Sequence, residues 1–202
     1  MDGKSPAYRL SGSMKFIHQG LEGKAETIFT ADGKHASRQN FGKVAAMSEI
    51  YDGEKGFTET SMSPLKEATG EELALMRLQH PVWTSMDWSK SYTDVTISGE
   101  MRIDGTRAFI VSLSGKDMAE RKIFVNEDTS LVVREIMQIP IHSVGKLSVE
   151  INYSDFREVG GAMVPFKATS KNVAIGTAIT QYTKAEELKS VPDGAFEVKS
   201  DE

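Results

Sequence analysis

Polar and apolar residues alternate with a period of two along most of the chain. Tyr8, Leu10, Met14 and Phe16 fall on one side and Arg9, Ser11, Ser13 and Lys15 on the other, the pattern of a strand with one wet face. Val95, Ile97, Met101 and Ile103 repeat it against Asp94, Thr96, Glu100 and Arg102. Asp104-Gly105 then supplies the pair that a two-residue type I′ turn prefers, and the next strand runs over 106–113. Further strands are expected over 23–30, 36–41, 44–51, 55–60, 120–125, 131–139, 146–155, 163–171 and 176–184. Turn chemistry separates them: Asp32-Gly33, Asp52-Gly53, Asn126-Glu127-Asp128-Thr129 and Gly160-Gly161. Roughly a dozen strands at such short spacing predict an antiparallel meander.

One segment breaks the pattern. Thr69 and Glu72 stand as a capping-box pair, and Leu73, Ala74, Leu75, Met76 and Leu78 follow as an amphipathic helix of about three turns that Pro81 stops. Leu75 and Leu78 share its apolar stripe. Beyond it Val82, Trp83, Met86 and Trp88 crowd large apolar side chains together, including both Trp residues of the chain. This material either plugs one open side of a curved sheet or covers a cavity beneath it. Five strands precede the helix and seven follow it, and no linker or repeat divides the chain. Residues 1–202 therefore read as a single domain with a helical lid over about 69–88. The charge-rich C-terminal stretch reads as a strap ending in a loose tail from about 197.

Composition narrows the function. The 24 Lys plus Arg against 29 Asp plus Glu give a formal charge of −5, which leaves no broad positive field for nucleic acid. With no Cys there is no disulfide framework, thiolate metal site or cysteine nucleophile. No stretch is long and apolar enough to span a bilayer as a helix, so membrane association is at most peripheral. Residues 1–20 lack the apolar core of a secretory signal, so an exported protein would be represented here by its mature form.

The search for chemistry returns little. His18, His35, His80 and His142 are each alone in their segment, so no metal site and no cofactor is expected. Phosphate-binding glycine loops and the G-x-S-x-G elbow are missing, and the two S-x-x-K tetrapeptides, at 63–66 and 143–146, lie in expected loops without companion motifs. Adjacent carboxylates such as Glu71-Glu72 and Glu186-Glu187 fall where water screens them. No catalytic residue is assigned. What stands out is the 10 Met residues, either ordinary core filler or the lining of an adaptable concavity. Gly23, Ala25, Gly99, Ala108, Ala174, Gly176 and Ala178 either leave interior room or mark bends.

Several stretches carry a resemblance. Tyr51-Asp52-Gly53-Glu54-Lys55-Gly56-Phe57 precedes the helix, the paired strands of 99–111 follow it, and 124–131 re-enter the sheet through an acidic turn. The stretch 153–166, Tyr-Ser-Asp-Phe-Arg-Glu-Val-Gly-Gly-Ala-Met-Val-Pro-Phe, is close to a Y-x-D-[YF]-R-x-V-x-G-x-x-[VLI]-P hairpin, and 192–196 ends in Phe. In these features the chain resembles the LolA-like superfamily of outer-membrane lipoprotein-sorting and carrier proteins, over about residues 8–198. The resemblance implies a mainly β (α+β) fold: a strongly curved antiparallel sheet forming an incomplete barrel, with helical cover over an apolar cavity.

It also implies a function, a periplasmic or cell-envelope carrier or binding protein, not an enzyme, that shelters acyl chains of lipids or lipoproteins. Affinity would then reside in buried area, at about 0.8 kcal/mol per CH₂. The expected lid residues are Leu75, Met76, Leu78, Trp83, Met86 and Trp88, and the expected wall residues Met14, Phe16, Met101, Ile103 and Phe109. The alternative is a protein-interaction or envelope-stress sensor domain that receives an envelope protein partner on its concave face or sheet edge. That reading expects a filled interior. An enzyme would instead show polar groups converging in the largest pocket.

Overall fold

A computed structural model describes residues 5–85, 88, 91–115, 120–141 and 145–197. Six strands come first: β1 (Ala7–Phe16), β2 (Leu21–Thr30), β3 (His35–Asn40), β4 (Ala46–Tyr51), β5 (Gly56–Thr60) and β6 (Ser63–Ala68). Helix α1 (Gly70–Arg77) and a single 3-10 turn (Trp83–Ser85) follow. Seven more strands complete the order: β7 (Asp94–Ile103), β8 (Thr106–Ser114), β9 (Arg121–Asn126), β10 (Val132–Ile141), β11 (Gly145–Val159), β12 (Ala162–Asn172) and β13 (Gly176–Leu188). All thirteen belong to one antiparallel sheet in the order β6-β5-β4-β3-β2-β1-β13-β12-β11-β10-β9-β8-β7. The sheet is not closed, and β6 and β7 are its two edges.

The first and last strands pair near the middle of the sheet, Ala7 opposite Leu188 and Phe16 opposite Ala178. A bulge between Ser11 and Gly12 interrupts this ladder, and Gly12 lies so close to β13 that a Cβ there would sit 2.0 Å from the Gln181 carbonyl oxygen. Bulges of this kind bend and twist a strand locally. The segment between β6 and β7 joins opposite edges of the sheet. Helix α1 packs on β4 and β5 from one half and on β10 from the other, and the 3-10 turn packs on β12. One short segment touches both halves because the sheet curls around it.

The core follows that curvature. Leu75 of α1 buries itself with Met137 and Val149, while Leu78, Trp83 and Tyr92 join Val111, Leu113, Ile123 and Val132. A third cluster holds Leu10, Phe29, Val159, Val164 and Phe166. Each such side chain contributes about 1.5–3 kcal/mol by leaving water.

The structure departs from the sequence reading in three places. Six strands, not five, precede the helix: 63–66, expected as a loop, is part of β6, which pairs with β5 across a bulge between Thr58 and Thr60. Pro64 is compatible with this because an edge strand needs no amide donor on its free side. The helix spans 8 residues, nearer two turns than three, and the capping box does not form. Thr69 makes no side-chain cap bond, and the Glu72 carboxylate accepts instead from Lys66 Nζ at 2.8 Å. Finally, the alternation over 94–103 does not separate a buried from a wet face. β7 is an edge strand exposed from Asp94 to Arg102, with a bulge between Ile97 and Gly99. The Asp104-Gly105 turn is as expected, with φ of 49° and 85° at the two positions, the left-handed pair that a type I′ turn requires.

At the C-terminus, the Ala195 carbonyl accepts from Arg38 Nη2 at 2.8 Å and the Ala195 side chain is buried, which ties the strap to β3. Residues 198–202, most of the expected tail, lie outside the described residues.

Candidate functional site

Strand register builds the site. Three cross-strand rows supply one wall each: Glu49–Ser37–Thr27–Leu10 over β4 to β1, Met14–Thr180–Ala168–Tyr153 over β1, β13, β12 and β11, and Glu135–Ile151–Ser170 over β10 to β12. All these residues, with Leu78, Gln79, His80, Pro81 and Trp83 from the segment after α1, line one cavity of about 340 Å³. That is near the lower end of the size range for small-molecule sites. Leu10, Met14, Leu78, Trp83, Met137, Ile139, Ile151 and Val164 give it apolar walls.

Two polar groups interrupt those walls. The first centres on Arg121, which is 2% exposed. Its guanidinium carbon lies 4.8 Å from the Trp83 ring centroid, its Nε is 3.7 Å from Glu135 Oε2, and its Nη2 reaches only the Met137 sulfur at 3.8 Å. Tyr153 donates its hydroxyl to Glu135 Oε1. Among the described residues Arg121 Nε and Nη1 and Glu135 Oε2 find no hydrogen-bond partner. A buried ion pair compensates its desolvation only when the remaining donors and acceptors are satisfied, and here three are not. Burial raises the Glu135 carboxyl above its ordinary pKa, against the pull of Arg121, and burial beside that carboxylate raises the Tyr153 phenol well above its own.

The second group lies nearer β3 and β4. His35 and His80 meet edge to face with ring centroids 5.6 Å apart. His80 Nδ1 accepts from the Val82 amide at 3.3 Å, so Nε2 carries the proton and donates to the Thr30 carbonyl at 3.0 Å. Neither nitrogen of His35 finds a partner among the described residues. Burial, and then the neighbouring His80, lowers His35 to about 4, and burial also lowers His80. The Glu49 carboxylate faces the Gln79 amide, whose nitrogen donates to Oε2 at 2.9 Å. Burial, and then the charge of Glu72, raises Glu49 to about 7. Between the two groups Thr27 Oγ1 and the Tyr182 hydroxyl share a hydrogen bond of 2.7 Å.

Of the residues singled out in the sequence, Met14, Leu78 and Trp83 line the cavity. Leu75 and Met76 are buried on α1 outside its lining, so the mid-chain residues that border the cavity come from the stretch 78–83 after the helix and a helical lid does not form over it. Trp88 packs beside that stretch and donates from Nε1 to the Trp83 carbonyl at 3.3 Å. Phe16 stacks on Phe41, and Phe109 lies under the Arg107 guanidinium. Met101 and Ile103 are on the β7 edge, away from the cavity, with Met101 38% exposed. Met86 lies outside the described residues. The alternation did hold a signal for the missed polar residues: Arg121 shares the phase of Ile123 and Val125, Glu135 that of Met137 and Ile139, and Glu49 that of Met47 and Tyr51. A charge in the apolar phase of a strand faces inward.

No protein-family model and no curated protein matches the chain by sequence. The fold itself has counterparts among solved structures. A LolA superfamily protein from Nitrosomonas europaea superposes with a TM-score of 0.62 at 11% identity, over 97% of this chain and 91% of that one. The fold is LolA-like. A domain described as an outer membrane lipoprotein-sorting protein domain, from Vibrio parahaemolyticus, gives 0.63 at 7% identity, again over 97% and 91%. A DUF1329 family protein from Desulfovibrio piger gives 0.61 at 14%, with the same coverage. At such identities the likeness shows the LolA-like fold and extends to no particular side chain.

Proposed function

We propose that this LolA-like chain is a non-enzymatic carrier or binding protein of the bacterial periplasm or cell envelope that holds an acyl amphiphile between its curved sheet and the covering stretch 78–83. One observation carries the reading: an apolar-walled cavity of about 340 Å³ into which a buried arginine brings two donors that are unpaired among the described residues. The walls take the hydrocarbon, and Arg121 Nε and Nη1 take an oxygen of the headgroup or ester, satisfying donors that find no partner among the described residues. The solved lipoprotein-sorting domain of the same fold supports the class of ligand and the compartment.

Native mass spectrometry and lipid extraction of the purified protein test this. Bound species with acyl-chain masses that leave on delipidation, and return with a single stoichiometry, are the expected result. A protein that stays empty when offered fatty acids, phospholipids and lipopeptides overturns it. The second reading, a domain that receives a protein partner, draws on the β7 edge, where Val95, Ile97 and Met101 are exposed. An added strand would pair there.

A further inference from the structure

Exposed apolar side chains are ordinary when scattered, so their placement is what informs. The described residues include ten large hydrophobic side chains with substantial exposure, and five of them lie in hairpin tips at one end of the sheet. They are Met62 in the β5–β6 tip, Val44 in the β3–β4 tip, Ile17 in the β1–β2 tip, and Val173 and Ile175 in the β12–β13 tip. Antiparallel order places these four tips at the same end, one after another along eight contiguous strands. Met62 and Val173 are 94% and 95% exposed, and Val44 69%. One backbone and one side-chain bond hold two neighbouring tips together: the Ile17 amide donates to the Thr177 carbonyl at 2.9 Å, and Gln19 Nε2 to the Ile175 carbonyl at 2.9 Å.

Charge separates this rim from the opposite one. The four tips, 17–20, 41–45, 61–62 and 173–175, contain no Asp or Glu and carry Lys43, with Lys171 beside them on β12. The acidic residues at this end stand on the strands behind or on the other half of the sheet: Glu22 is paired with Lys15 at 2.9 Å, Glu59 lies near the end of β5, Glu150 stands opposite Lys171, and Asp94 and Glu120 flank the far strands. At the other end of the same strands, turns 31–34 and 52–55 hold Asp32, Asp52 and Glu54 with Lys34 and Lys55, and no large apolar side chain. In a chain of net charge −5, these four apolar tips thus carry a lysine and no carboxylate, whereas the far turns of the same strands carry three carboxylates and two lysines.

We propose that this rim docks the protein peripherally on an anionic lipid bilayer, the hairpin tips entering the headgroup region and Lys43 and Lys171 meeting lipid phosphates. A fluid interface can accept separate protruding side chains at each tip, whereas a folded protein surface would need a matching pocket for every one of them. The inference does not depend on what occupies the cavity.

Co-flotation of the full chain with vesicles of phosphatidylethanolamine and phosphatidylglycerol is the test. Wild type is expected to float with these vesicles at low salt, less with phosphatidylcholine vesicles, and less at high salt. Replacing Val44, Val173 and Ile175 together by Ser should lower the bound fraction by about tenfold or more, with an unchanged melting curve. Asp32→Ser with Glu54→Ser, at the far rim, should leave flotation undiminished. A polarity-sensitive dye on Val173→Cys should shift to the blue on vesicles. Wild type that stays in the aqueous layer, a triple Ser variant that floats equally well, or a dye that stays wet overturns the proposal. So does use of these tips for self-association alone. Arg121→Met, which addresses the cavity, should not change flotation, so the two readings fail separately.

Discussion

His35 and His80 stand ring to ring, 5.6 Å between centroids and nearly perpendicular, with His35 1% exposed. Their neutral forms are favoured because burial penalises an imidazolium, and His35 would in addition face the charge of His80. His35 falls from 6.5 to about 4 in the folded protein. The unfolded chain therefore binds more protons than the native one between those values, and stability rises with pH across that window. The contribution is complete above about pH 6.5 and is lost as pH falls through about 4, at most about 3 kcal/mol. Urea titrations from pH 4 to 7 should show His35→Phe flattening this limb. An unchanged acid limb would remove His35 as its source.

Glu49 acts in the opposite sense. Its folded value is raised from 4.5 to about 7, so the native state holds the extra proton and stability falls as pH rises between the two. Glu49→Gln should abolish that loss, most visibly above pH 7, in the same urea series.

Arg121 and Glu135 can be separated from the fold. Arg121→Met alone strands a buried carboxyl and should cost about 3 kcal/mol at neutral pH. Arg121→Met with Glu135→Leu should recover most of that stability, as apolar replacements of buried ion pairs often do. The double variant should still lose its preference for anionic over neutral amphiphiles, measured by calorimetry. Full retention of that preference would place headgroup recognition elsewhere.

Trp83 lines the cavity and Trp88 packs outside its lining. Acyl ligand should therefore change the emission of Trp83 and leave that of Trp88 nearly still. Trp88→Phe should keep the fluorescence response, and Trp83→Phe should lose it.

Gly12 admits no side chain. A Cβ would lie 2.0 Å from the Gln181 oxygen and 2.6 Å from the Tyr182 Cα, both backbone atoms that cannot swing aside. Gly12→Ala should cost about 2–3 kcal/mol or more in denaturant melts by forcing the β1–β13 ladder apart, whereas Ser11→Ala beside it should cost little.

Local signals in the sequence were readable where one element decides the outcome. The β1 alternation, the Asp104-Gly105 turn and the acidic turn of 126–130 each depend on a few neighbouring residues, and Asn126 Oδ1 accepts from the amides of Asp128 and Thr129 as turn chemistry requires. β6 escaped because Pro64 and Lys66 read as loop, and only its partner β5 makes it a strand. The cavity escaped in part for a similar reason. Thr27, Ser37 and Glu49 are neighbours only after three strands have paired in register, and Leu75 turns to Met137 only because the sheet curls. Apolar phase located the interior, but it could not say which interior positions would be filled by packing and which would border open space.

The adjacency of β1 and β13 has a cost in time. The strand made first waits for the strand made last, so until Gly176–Leu188 is available the β1–β2 hairpin carries an unpaired edge. Contacts of such long sequence separation slow folding, and an open edge invites pairing with other chains while it persists. Loss of the closing strand would thus leave two unjoined half-sheets prone to aggregation, not a smaller version of the same fold.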